Sequence, residues 1–157
     1  MRAAAGNVDH VRLKSLGVSI IDGDRGKNYP KQDDFLSDGH CLFLSAKNVT
    51  KSGFRFDDIV FIAEQKDLAL SKGKLKRGDI VITTRGTVGN FAHFTSDIDF
   101  EHIRINSGMA IIRNTEGNAD TAFLYQLMRS PHIDREVNVL SFGSAQPQLT
   151  IPIIAAF

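Results

Sequence analysis

Apolar positions in this chain recur in short runs separated by polar, glycine-bearing segments, and few of the runs are long enough to make a helix. Val11 to Ile21 starts with mixed polarity and ends in β-branched residues, which predicts a strand entering the loop Asp22 to Pro30. That loop, DGDRGKNYP, is too dense in Gly, Asp and Asn for regular structure. Cys41 to Ser45 reads as a short buried strand. Phe54 to Ile62 reads as another, interrupted at Asp57 and Asp58, and Ala63 to Ser71 has the composition of a short helix. Asp79 to Thr84 is a β-branched strand, and Val88 to Phe94 pairs with it across Arg85, Gly86 and Thr87. Gly108 to Arg113 is a further strand.

The clearest helix spans Ala119 to Arg129, with Asn118 or Asp120 as its cap. Phe123, Leu124, Leu127 and Met128 fall on one face and are assigned to the core, and Ser130-Pro131 ends the helix. No strand is followed by a long crossover helix before residue 119, which argues against repeated βαβ units. The expected architecture is α+β: one strand-rich domain over residues 1–157, with a curved mixed or antiparallel sheet and a few short helices. Its core runs from about 11 to 150.

Composition narrows the class. The chain of 157 residues carries 42% apolar and 24% charged residues, the balance of a globular protein with one ordinary core. No apolar run reaches the roughly 20 residues of a membrane span, and the first residues lack a signal-peptide core. Cys41 is the only cysteine, so a disulfide framework or thiolate cluster is excluded within the chain and a cytoplasmic setting fits. Net charge is +1, which argues against a purely electrostatic nucleic-acid binder and against an acidic, antirestriction-type DNA mimic. The charge is nonetheless uneven: residues 61–90 hold six basic and three acidic side chains, with Lys72, Lys74, Lys76 and Arg77 close together.

Candidate chemistry is sparse. The segment Gly78 to Asn90, GDIVITTRGTVGN, superficially resembles a phosphate loop. It lacks the Gly-Lys-Ser/Thr ending, a following helix and the third glycine of a dinucleotide fold. Asp58, Glu64 and Lys66 form a loose D-x5-E-x-K pattern of the kind used by metal-dependent nucleases, but the gap is short for a strand, turn and second strand to converge on one ion. His10, His40, His93, His102 and His132 share no metal-ligand spacing, and no metal site is expected. No nucleophile elbow surrounds Ser107, Ser141 or Ser144.

Five polar loops remain. Their candidate DNA-binding residues are Arg25, Lys27 and Asn28; Lys47 and Asn48; Thr84, Arg85 and Thr87; Arg104; and Ser144 and Gln146. Arg, Lys, Asn, Gln, Ser and Thr supply the hydrogen bonds that read base edges and position phosphates.

The order of motifs carries a resemblance. RLKSLG, DGDRGKNYP, FLSAKNV, KLKRGDIVITTRGTVGN, INSGMAIIR, FLYQLMRS and GSAQPQLTIPII follow one another from about Val11 to Ile154. The chain resembles a target recognition domain of the specificity subunit of a type I restriction–modification system. That resemblance implies sequence-specific binding of double-stranded DNA without catalysis, one domain reading half of a bipartite target. It also implies modification and restriction subunits as partners. S-adenosylmethionine, ATP and Mg are expected on those partners, and no cofactor on this chain. Residues 151–157 are expected to lead into a spacer helix.

Overall fold

The computed structural model describes residues 11–117, 119–141 and 147–157. Its strands are β1 (Ser19–Asp22), β2 (Cys41–Phe43), β3 (Val49–Thr50), β4 (Gly53–Phe54), β5 (Val60–Ile62), β6 (Ile80–Thr83), β7 (Phe91–His93), β8 (Ile103–Arg104) and β9 (Met109–Arg113). Its helices are α1 (Glu64–Ala69), α2 (Thr121–Met128), α3 (Pro131–Ser141) and α4 (Ile151–Ala155). The α+β class expected from the sequence is the one observed. The strands divide among three sheets, a four-stranded sheet in the order β1-β9-β6-β7, a three-stranded sheet β5-β2-β8 and the hairpin β3-β4. The four-stranded sheet is antiparallel throughout, while β2 and β8 run parallel.

The unbroken apolar runs of β6 and β9 follow from burial on both faces. Side chains alternate across a strand, so Ile80, Ile82, Ala110 and Ile112 enter one core while Val81, Met109 and Ile111 enter another. The first core is closed by Leu124 and Met128 of α2, Ile133 and Val137 of α3, Leu149, Ile154 and Phe157. The second is closed by Leu42, Leu44, Phe94, Ile103 and Ile105. A side chain of this size contributes about 1.5–3 kcal/mol when fully buried, so the four-stranded sheet anchors the fold from both sides.

The hairpin expected after β6 is present, with Ile80, Val81 and Ile82 opposite His93, Ala92 and Phe91. Its connection is longer than a tight turn. Gly89 adopts φ +82°, and a Cβ there would lie 2.6 Å from Val137 Cγ1. Only glycine therefore lets this loop lie against α3.

One helix expectation is corrected and another is extended. In α2, capped by Asp120 through its side chain and Phe123 N–H (2.9 Å), the buried residues are Leu124 and Met128, while Phe123 is 64% and Leu127 36% exposed. At 100° per residue the Leu124–Met128 stripe, continued by Tyr125, leaves Phe123 and Leu127 together on the flank away from Tyr125. Pro131 does not merely end α2; it opens α3 as its first residue, where a missing N–H costs nothing. Ser130 Oγ accepts from Ile133 N–H (3.4 Å) at that start. The polar residues of α3 outnumber its buried pair, Ile133 and Val137, and conceal the helix in the sequence.

Residues 151–157 pack onto the core. Thr150 Oγ1 caps α4 through Ile153 N–H (3.4 Å), Ile154 is fully buried, and Leu13 N–H donates to the Phe157 carbonyl at 2.6 Å.

Candidate nucleic-acid interface

Register places three loops at one end of the four-stranded sheet. Asp22, the last residue of β1, pairs with Ala110, and Thr83, the last of β6, pairs with Met109, the first of β9. The segments after Asp22, after Thr83 and before Met109 must therefore meet. Thr84 N–H donates to the Gly108 carbonyl (2.8 Å), and Ser107 N–H donates to Tyr29 Oη (3.1 Å). A Cβ on Gly23 would lie 2.4 Å from the Asn106 carbonyl oxygen, so glycine permits the first loop to cross the third. A fourth segment joins them: Arg85 and Gln148 form an antiparallel bridge, and Leu149 N–H donates to the Thr84 carbonyl at 2.9 Å.

Within this cluster the side chains divide by engagement. Arg25 is exposed but held by Asp22 in two contacts (Nε–Oδ2 3.0 Å, Nη2–Oδ1 3.1 Å), and Nη2 also donates to the Ser107 carbonyl (2.9 Å). Asp22 keeps the guanidinium oriented and raises its proton affinity further. Lys27, Arg85 and Thr87 are exposed, and Lys27 and Arg85 have no hydrogen-bond or ion-pair partner for their side chains among the described residues. Asn28 turns toward α1, with Nδ2 donating to the Ala69 carbonyl at 3.2 Å. Gln148 is exposed beside Arg85, and Asn106 Oδ1 accepts from Gly108 N–H (2.9 Å).

Asp24 fixes the base of the first loop. Its carboxylate, 6% exposed, accepts from Ser71 N–H (2.8 Å), Ser71 Oγ (2.9 Å) and Gly26 N–H (2.7 Å). These hydrogen bonds, the Ser71 backbone first, hold its carboxyl below the usual range against the opposing effect of burial.

The segment at residues 46–51, expected as a loop, is a 3-10 turn over Ala46–Asn48 running into β3. A cleft of about 450 Å³, lined by Tyr29, Phe35, Phe43, Lys47, Asn48 and Asn106 among others, lies between it and the sheet-end cluster. Lys47 is exposed and paired with Asp58 at 2.6 Å.

Three expected DNA-binding residues are used inside the fold. Asn48 is 1% exposed; its Oδ1 accepts from Ser45 N–H (3.0 Å), and its Nδ2 donates to the carbonyls of Arg55 and Asp58 (both 2.9 Å). Thr84 is 4% exposed, and its backbone ties two loops together. Arg104 is 7% exposed and closes the end of α1: Nε donates to Asp67 Oδ1 (2.5 Å), and its Nη atoms donate to the carbonyls of Asp67, Leu70 and Lys72. A cation at a helix C-terminus satisfies carbonyls that have no partner within the helix. Ser144 and Gln146 lie outside the described residues.

The cationic cluster read from residues 72–77 is also partly internal. Lys74 pairs with buried Asp67. Arg77 donates to the carbonyls of Thr95, Ile98 and Phe100 and lies 4.1 Å over the Phe94 ring. Lys72 and Lys76 remain exposed. The nuclease pattern does not assemble: Asp58 faces Lys47, Lys66 faces Asp34 at 3.6 Å and the Asn28 carbonyl, and Glu64 is exposed at the start of α1. The spacing of histidines gave no hint that His40, His102 and Asp67 meet, which they do because three separate elements bring them together. Among the described residues, no helix is long and apolar enough to cross a membrane.

Comparison with solved structures finds the same fold. A solved structure describing complex assembly and conformational transition of the type I R-M system covers 99% of this chain at a TM-score of 0.64 and 14% identity. The HsdS subunit from Thermoanaerobacter tengcongensis covers 98% at TM-score 0.62 and 17% identity, and the type I restriction-modification S subunit from M. genitalium 94% at 0.61 and 15%. This chain spans about a third of each of those chains, 35%, 34% and 32% respectively. No curated protein matches the sequence. The family model of the type I restriction modification DNA specificity domain matches residues 7–157, and the chain belongs to that family.

Proposed function

We propose that this chain reads one half of a bipartite double-stranded DNA target through the loops gathered at the end of its four-stranded sheet, and that it does so without catalysing a reaction. One observation carries the reading. Lys27 and Arg85, both exposed and unpaired among the described residues, stand on loops that the sheet register brings together, beside Gln148 and the oriented Arg25. Arg grips guanine bidentately and Gln does the same for adenine, while Lys supplies a phosphate contact. Thr87 and Lys47 flank the surface. Ser144 and Gln146 belong to the segment leading into Gln148 and are proposed as further contacts on that ground.

In this reading the chain directs modification and restriction subunits in the cytoplasm. Methylation of adenine and cleavage, with their S-adenosylmethionine, ATP and Mg requirements, reside on those partners. A single domain makes few phosphate contacts, so its affinity alone is modest and falls steeply with salt. Selection from a random duplex library, followed by fluorescence anisotropy on the enriched duplex at several salt concentrations, tests this. A consensus sequence bound at least tenfold more tightly than a scrambled duplex is expected. Failure of any sequence to be enriched, or equal binding to both duplexes, refutes the reading.

A further inference from the structure

His40, Asp67 and His102 offer ligand atoms that all lie within 4.8 Å of one another. Neither histidine belongs to the loops assigned to DNA. His40 directly precedes β2, His102 directly precedes β8, and Asp67 lies in α1. The parallel pairing of β2 with β8 sets Leu42 opposite Ile103, and Leu42 N–H donates to the His102 carbonyl at 2.9 Å. The two imidazoles stack beside this pairing, with ring centroids 4.1 Å apart and planes 26° from parallel.

We propose that His40, His102 and Asp67 form a binding site for a late first-row transition-metal dication of the zinc type. Two imidazole nitrogens and one carboxylate oxygen are the donor set this class of ion prefers, and they leave a fourth position for water. His40 Nε2 already stands 3.5 Å from Asp67 Oδ2. Adjacent ligand atoms of a tetrahedral zinc ion lie roughly 3.3–3.5 Å apart when its bonds are near 2.0–2.1 Å. His102 completes the site by turning out of the stack so that the two ring lone pairs converge. Both rings are partly exposed, whereas Asp67 is buried and held by Arg104 and Lys74.

The carboxylate has two resident cations, and they are not equivalent. Arg104 holds Oδ1 with a side chain 8% exposed, while Lys74 meets Oδ2 with a side chain 31% exposed. An incoming ion displaces the Lys74 ammonium toward solvent and leaves Arg104 in place. Lys74 is thus a built-in competitor that weakens the site, and an ion bound there ties β2, β8 and α1 together.

Titration of the untagged chain with Co2+ alone, followed by displacement with Zn2+, tests the site. One equivalent of Co2+ with the visible absorption of a tetrahedral centre is expected, lost on adding Zn2+, and excess Zn2+ should raise the melting temperature by mass action. His40→Ala and His102→Ala should each weaken binding by about tenfold or more, since losing even a group that only supports a ligand costs about that much at metal sites. Lys74→Met, which keeps the aliphatic stem, should tighten it. Melting of each variant without metal verifies that it folds. Absence of the absorption band, binding unchanged in both histidine variants, or binding no tighter in Lys74→Met overturns the assignment. None of these measurements involves DNA, so their outcome is independent of the DNA-reading proposal.

Discussion

Arg85 and Gln148 face each other across an antiparallel bridge, closed by the hydrogen bond from Leu149 N–H to the Thr84 carbonyl at 2.9 Å. The bridge fastens the segment that precedes α4 to the loop that follows β6. It presents a guanidinium and a carboxamide side by side on exposed backbone. A planar donor fork next to a group that both donates and accepts matches the complementarity of base edges.

Arg85→Ala should therefore weaken binding to the selected duplex by about 1–3 kcal/mol and relax specificity at one position. Arg129→Ala should change affinity little, because Arg129 is engaged within the fold, 5.2 Å over the Tyr125 ring and donating to the Lys51 carbonyl (3.4 Å). Anisotropy titrations of both variants decide the matter; equal losses would mean the interface lies elsewhere.

Arg104 is expected to behave as a structural residue. Arg104→Met leaves the buried Asp67 carboxylate to Lys74, His40 and the Cys41 thiol, and removes the donors to three carbonyls. Breaking a buried pair costs about 3–5 kcal/mol, so chemical denaturation should show a large loss of stability. A folded variant with normal stability and poor DNA binding would restore Arg104 to the interface.

Leu124→Ala and Leu127→Ala should separate. Leu124 is 1% exposed inside the first core and should lose about 2–5 kcal/mol on truncation. Leu127, at 36% exposure, should lose well under that. Urea midpoints of the two variants give the comparison, and similar losses would contradict the burial described.

Gly89→Ala should destabilise the domain by roughly 1–3 kcal/mol, since the added methyl meets Val137 Cγ1 at 2.6 Å on a backbone with φ +82°. A truncation at the contact, Val137→Ala, relieves the clash but not the dihedral strain. The double variant should thus recover part of what Gly89→Ala loses relative to Val137→Ala alone. Thermal melts of the set reveal whether any coupling exists.

Asp24 gives the first loop a pH dependence with a definite sign. Its folded carboxyl is held below the usual value, so the stability it supplies is present above the unfolded value near pH 4. That stability is lost as pH falls from there through the lower folded value. Asp24→Asn should lower stability at neutral pH and flatten the acid limb of the stability profile. An unchanged acid limb, measured by urea unfolding from pH 7 downward, would show that the carboxylate is not so held.

The sequence by itself determined the local elements and the family. A short apolar run predicted β2, β-branched runs predicted β6 and β9, turn residues marked the loops after Asp22 and Thr83, and the order of motifs pointed to the specificity family. Periodicity identified α2 but not α3, because a helix with two buried residues among polar neighbours carries too weak an apolar stripe to stand out. Only the tertiary structure decided which polar residues of those loops are available. Arg85 and Arg104 are the same residue type on similar polar segments, yet one is exposed and the other lies beneath the end of α1 on buried Asp67. The same holds for His40 and His102, which meet through a parallel strand pairing that leaves no spacing signature in the chain. Hydrophobic period is a local property that a strand or helix prints on its own sequence. Whether a cation faces water or a carboxylate depends on contacts between segments distant in the chain, and no local pattern records those.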